Sequence, residues 1–220
     1  MKTQLLIVRH GNTFKPNEVP RRVGAHTDLP LVELERSQNI GRYLKSLFIP
    51  QITFCSPLQR TRQTAVTALE TAGVNTQQII IDDQFKEIDY GPDENQPEDL
   101  VIARIGEAAL AAWNTHAQTP PGWQLDPEKL RKNWFDFGAE LEENHSGKKI
   151  LVVTSNGIAR FSPALCKSGQ SDIPQNLKVS TGAMCLYEKA SGQDSWALKF
   201  WNKKPLELLS EVIETKKNKS

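Results

Sequence analysis

Short blocks of consecutive apolar residues alternate along this chain with longer stretches whose apolar positions recur every three or four residues. Residues 5–8, 52–55 and 150–154 form such blocks; they are rich in β-branched side chains and too short for helices, so they predict buried strands. Between the first two, Leu34, Ile40, Leu44 and Leu47 mark one helical face within residues 31–48. A second helix is predicted over residues 57–72, with Pro57 near its start and Gly73 just past its end. Residues 79–81 read as a fourth strand, and 184–187 with 197–201 as a closing hairpin. Strands that alternate with helices imply an α/β fold, a mostly parallel central sheet with helices on both faces in three α/β/α layers.

One stretch breaks this rhythm. From Gly91 to Gly122 acidic and proline residues come first, then an alanine-rich helix, then Thr119-Pro120-Pro121-Gly122. This predicts a helical insertion over residues 92–126, packed over the site. Residues 127–144 predict a further helix, and the charged tail 214–220 is expected to fray. The 220 residues, 38% of them hydrophobic, suffice for one sizeable core, so the whole chain, 1–220, reads as a single domain.

A net charge of +1, with both signs interspersed, removes any general electrostatic argument for nucleic acid or an anionic membrane. The first apolar run is interrupted by Arg9 and His10 before it could serve as a signal-peptide core, and no stretch is long enough to span a bilayer. Cys55, Cys166 and Cys185 are odd in number, widely spaced and set in apolar surroundings, which suits reduced packing thiols in a cytoplasmic protein.

Any anion specificity must therefore be local, and one pentapeptide stands out. Arg9-His10-Gly11-Asn12-Thr13 follows the first strand, where open α/β sheets place their ligand crevice. An imidazole fixed by a hydrogen bond on its other nitrogen can attack phosphorus near neutral pH. A guanidinium offers a planar, permanently charged fork for phosphate oxygens. Arg9 and His10 would point to opposite sides of a straight strand, and Gly11 would let the chain turn so that both face one crevice. Arg-His-Gly alone is equally compatible with a strand end carrying two solvated polar residues.

The second strand is followed by Ser56-Pro57-Leu58-Gln59-Arg60-Thr61-Arg62-Gln63-Thr64-Ala65. Joined to the first motif, this pattern resembles the histidine phosphatase superfamily, in the branch that includes cofactor-dependent phosphoglycerate mutases and small phosphatases. Gly24-Ala25-His26-Thr27-Asp28-Leu29-Pro30-Leu31 is similar to that family's turn ahead of its first helix. The resemblance implies that His10 is the nucleophile, that Arg9 and Arg60 clamp the phosphate, and that Arg60 enters from a helix N-terminus whose free N–H groups favour an anion. Arg62 is expected to face solvent or a surface ion pair. Asn12, Thr13 and Thr181 are implied substrate contacts, as is Asn17, although the family asparagine falls one position earlier.

Phe85-Lys86-Glu87-Ile88-Asp89-Tyr90-Gly91 is similar to the family's acid loop, with Glu87 matching the proton donor to the leaving oxygen. Such a group needs desolvation or nearby phosphate to hold its proton. The family's usual Asp-Trp-Glu-Gly continuation is replaced here by Pro92-Asp93-Glu94-Asn95. A larger departure follows the strand at 150–153, where the family carries a second histidine and this chain reads Ser155-Asn156-Gly157. Ser155 is taken as a catalytic residue and Asn156 as a substrate contact; both can donate neutral hydrogen bonds without supplying an imidazolium charge, and losing such a donor costs about 10²-fold or more in rate.

His26 could reach the mouth of the crevice, whereas His116 and His145 read as surface or packing residues; four histidines without paired spacing make no metal site. Trp113, Trp123 and Trp134 read as packing, with one or two available as an apolar wall for substrate. The expectation is a metal-independent phosphomonoesterase with no cofactor and a small phosphorylated substrate. A phosphomutase and an impaired phosphate-binding protein remain as alternatives. Neither nucleic acid nor a membrane is an expected partner, and a homodimer is left open.

Overall fold

The computed structural model of the protein describes residues 1–166 and 174–217. Six strands form one sheet: β1 (Lys2–Arg9), β2 (Ile52–Cys55), β3 (Ile79–Ile81), β4 (Lys149–Thr154), β5 (Met184–Ala190) and β6 (Ala197–Lys203), in the order β3-β2-β4-β1-β5-β6. The first four run parallel, β5 is antiparallel to β1, and β6 is antiparallel to β5. Apolar runs appear where the strands are covered on both faces. Leu5 and Ile7 of β1, with Ile150 and Val152 of β4, enter one core, while Leu6 and Val8, with Leu151 and Val153, enter the other.

Helices α1 (Glu35–Leu47) and α2 (Gln59–Ala72) carry the chain from β1 to β2 and on to β3, and they share one core with α7 (Pro205–Lys217) through Ile40, Leu44, Ala68, Leu69 and Leu208. The return from β3 to β4 runs the other way across the sheet, so a right-handed crossover puts α5 (Pro127–His145) on the opposite face. Trp134, Phe137 and Leu141 of α5 are buried there. Helices α1 and α2 cross closely at Gly41, where a Cβ would sit 2.4 Å from Thr71 Cβ and 2.5 Å from Ala68 O. Gly41→Ala should therefore destabilise the fold by about 1–3 kcal/mol, read as a lower denaturant midpoint at unchanged slope.

The sequence expectations need correction in several places. The insertion holds two helices, α3 (Glu98–Ile105) and α4 (Glu107–His116), divided at Gly106, whose φ of +82° suits glycine. Helix α7 extends through Lys217, so much of the tail expected to fray is helical. Trp113, Trp123 and Trp134 are at most 5% exposed, and Trp113 and Trp123 pack edge to face, so none forms an open apolar wall. Cys55 and Cys185 are buried and Cys166 is half-buried, as expected of packing residues. No described helix is long and apolar enough to cross a membrane.

Candidate active site

Because β1, β2 and β4 are parallel neighbours across the sheet, their C-terminal ends bring His10, Ser56 and Ser155 to one edge. His10 is 5% exposed, and its Nδ1 lies 2.7 Å from the carbonyl of Gly11. A carbonyl can only accept, so the proton sits on Nδ1 and Nε2 keeps its lone pair. Burial, together with the charges of Arg60 and Arg9, holds the imidazole well below the usual histidine range, partly opposed by the bond to Gly11. His10 should accordingly remain mostly neutral at about pH 6, where an unfolded-chain histidine of pKa about 6.5 is mostly charged. An NMR titration of the ring measures this, and Arg60→Gln should move the transition upward. The shift favours the neutral form in the fold, so its stability contribution is present above the unfolded value and is lost as pH falls through the folded one.

Gly11 lies outside the left-handed region. Its missing side chain serves a close approach instead, since a Cβ would lie 3.3 Å from Leu31 Cδ2. Its N–H donates to Thr64 Oγ1 at 3.1 Å, which ties the nucleophile segment to α2.

Arg60 is fully buried and is gripped by backbone: Nη1 donates to Thr27 O at 2.9 Å and Nη2 to Gly24 O at 3.2 Å. The turn that supplies these carbonyls is itself anchored by Glu94. Its Oε1 accepts from Gly24 N at 3.0 Å, His26 N at 3.2 Å and Thr27 Oγ1 at 2.6 Å. Sequence reading treated residues 92–95 only as a departure from the family pattern, yet Glu94 positions the carbonyls that orient Arg60. A second correction concerns the start of α2, where the N–H of Gln59 is capped by Asp28 Oδ1 at 2.7 Å and so is not free for an anion.

Arg9 donates through Nη1 to Val179 O at 2.6 Å, and Val179 N donates to Asn156 Oδ1 at 2.8 Å, so Asn156 helps to orient Arg9. Asn12, with its amide turned to satisfy both neighbours, donates to Thr181 Oγ1 at 2.8 Å and accepts from Arg36. Thr13 is half-buried beside this group, whereas Asn17 is exposed on the following loop. Arg62 is exposed on α2, as expected. The Nε atoms of Arg9 and Arg60, and Ser155 Oγ, are buried polar atoms with no protein partner.

Glu87 is 6% exposed and is held on β4's side of the crevice. Its Oε1 accepts from Ile88 N at 3.0 Å and its Oε2 from Gly157 N at 3.2 Å, with Tyr90 Oη at 3.4 Å. Thr154 Oγ1 donates to Phe85 O at 2.7 Å, fixing the start of the acid loop to the end of β4. A Cβ on Gly157 would lie 2.2 Å from Glu87 Oε1, so glycine is what lets the carboxyl approach. His26 lies on the turn whose carbonyls hold Arg60, and it pairs with Asp89 at 3.1 Å while the imidazole stays largely exposed. His116 is exposed and His145 half-buried beside Phe54.

The family model of the histidine phosphatase superfamily (branch 1) matches residues 5–204. A 2,3-bisphosphoglycerate-dependent phosphoglycerate mutase of Methylorubrum populi is 24% identical over 192 residues, covering 85% of this chain and 90% of its own. The uncharacterized phosphatase PhoE of Bacillus subtilis is 24% identical over 202 residues, covering 91% and 94%. Among solved structures, a mycobacterial glucosyl-3-phosphoglycerate phosphatase has the same fold, with a TM-score of 0.70 at 22% identity over 93% of this chain and 100% of that one.

Proposed function

Since the chain belongs to the histidine phosphatase superfamily (branch 1), we propose that it is a phosphomonoesterase acting through a phosphohistidine on His10. The observation that carries this reading is the tautomer of His10: its Nδ1–H is committed to Gly11 O, so Nε2 is a neutral nucleophile beside the buried guanidinium of Arg60 and the half-buried one of Arg9. Arg9 and Arg60 hold the non-bridging oxygens while Nε2 attacks phosphorus. The P–O bond to the alcohol breaks as Glu87 gives the departing oxygen its proton. The phosphorylated ring keeps its Nδ1–H on the Gly11 carbonyl. Water then attacks phosphorus and passes a proton to the Glu87 carboxylate, releasing phosphate and restoring His10.

Ser155 favours a second reading, a phosphate receptor with little turnover, because no imidazolium stands opposite the nucleophile. The names of the relatives include both a mutase and phosphatases, so isomerised ester is a further product to look for. A panel of phosphomonoesters in the presence of a chelator tests these readings together. Release of phosphate that survives chelation is expected of the enzyme. Tight phosphate binding without release would assign the receptor, and a migrated phosphate would assign the mutase.

A further inference from the structure

Arg160, the residue that follows the single turn α6 (Asn156–Ala159), is 1% exposed. It plays no part in the phosphate clamp described above. Its Nη1 donates to Trp113 O at 2.6 Å, and its guanidinium carbon lies 3.9 Å from the centre of the Trp113 ring. Nε and Nη2 are buried without a partner, and no carboxylate among the described residues forms a salt bridge with it. Buried cations are ordinarily paired, so this one is unusual. Burial lowers its pKa to about 10, which still leaves it charged at neutral pH.

Beside Arg160 lies a cavity of about 370 Å³. Arg131 and His116 join it on the polar wall, and Phe161, Pro163 and Leu177 form an apolar one. Among the described residues no Asp or Glu lines the cavity. Arg131 stacks over the Phe161 ring at 5.6 Å, and its acidic partner among the described residues, Glu128, is 84% exposed at the side chain. Among the described residues the lining thus carries charge of positive sign only, with an apolar wall and room for a body of one ring.

We propose that this cavity binds a small organic anion, a carboxylate or phosphate carried on an apolar body, with Arg131 as its direct cationic contact and the buried charge of Arg160 adding to the attraction from behind the wall. Two sources share that chemistry. The anion is either the far end of the ester held at His10, a case that rests on the function proposed above, or a separate small molecule. The single turn α6 joins Ser155 at the catalytic edge to Arg160, which motivates the first, and the cavity's own lining suffices for the second.

Benzoate serves as the probe, titrated calorimetrically into the full chain. Saturable binding is expected in the unaltered protein, weakened at least tenfold in Arg160→Met and in Arg131→Met. Arg131 is partly exposed, so that variant keeps the test meaningful should the buried one fail to fold. Absent binding, or binding unchanged in Arg131→Met, overturns the proposal. The source is read from the ratio of kcat/KM for 4-carboxyphenyl phosphate over phenyl phosphate. A fall in that ratio in Arg131→Met assigns the cavity to the substrate's anionic end. An unchanged ratio with weakened benzoate binding assigns it to a separate anion. The benzoate titration does not depend on turnover, so an inactive protein would defeat the proposed function without touching this one.

Discussion

His10→Ala should abolish phosphomonoester hydrolysis, with a loss on the order of 10⁴-fold or more in kcat, because the covalent intermediate forms on the Nε2 that the variant lacks. The fold should survive. The imidazole makes one side-chain hydrogen bond, to the carbonyl of the next residue, and its removal strands no buried charge. Arg9 and Arg60 keep their backbone partners, Val179 O on one side and the Gly24 and Thr27 carbonyls on the other, so phosphate should still bind. Kinetics, thermal melting and phosphate titration on the one variant separate these effects. Lost turnover with retained melting temperature and phosphate affinity is the expected pattern, and retained turnover would remove His10 from the mechanism.

Glu87→Gln should cost about 10²–10⁴-fold on alkyl phosphates, the usual contribution of a general acid. On 4-nitrophenyl phosphate the loss should be small, since nitrophenolate departs without protonation. The amide is isosteric but has a single acceptor oxygen, so it keeps the bond from Ile88 N or from Gly157 N and loses the other, and it is the dependence on leaving group that isolates the proton. Gly157→Ala should show the same dependence on leaving group by a different route, because its Cβ would displace the carboxyl from 2.2 Å away. Equal losses on both kinds of ester would mean that Glu87 organises the site without donating a proton.

Much of the scaffold was legible because its physics is local. Residues 52–55 and 79–81 were read with the observed bounds, since short β-branched runs bounded by turn residues have few other solutions. The left-handed Gly73 at the end of α2, with φ of +75°, was announced by the glycine itself. Helix α7 was missed although Leu206, Leu208, Leu209, Val212 and Ile213 follow helical spacing; the charged residues beyond them drew the reading toward a frayed tail. The division at Gly106 had its signal in the glycine but was masked by alanines on its far side.

At the site, the motif residues His10, Arg9, Arg60 and Glu87 could be named from sequence because their neighbours in the chain form a pattern. Their supports could not. Glu94 acts on the 24–27 turn, and Val179 on Arg9, across long separations that no local periodicity records. Gly157 was visible as a glycine after a strand, but the reason for it, the approach of Glu87, exists only once the acid loop is folded against β4. Asn156 was read as a substrate contact, whereas its Oδ1 is engaged by Val179 N.

The central claim is that a covalent phosphohistidine forms on His10. Its most direct test is rapid quenching of the protein during turnover of a ³²P-labelled phosphomonoester, under alkaline conditions that preserve phosphohistidine, followed by mapping of the labelled peptide. The account predicts label on the peptide containing His10, released by acid and absent from His10→Ala. Active protein that carries no label under burst conditions, or label that persists in His10→Ala, would contradict it.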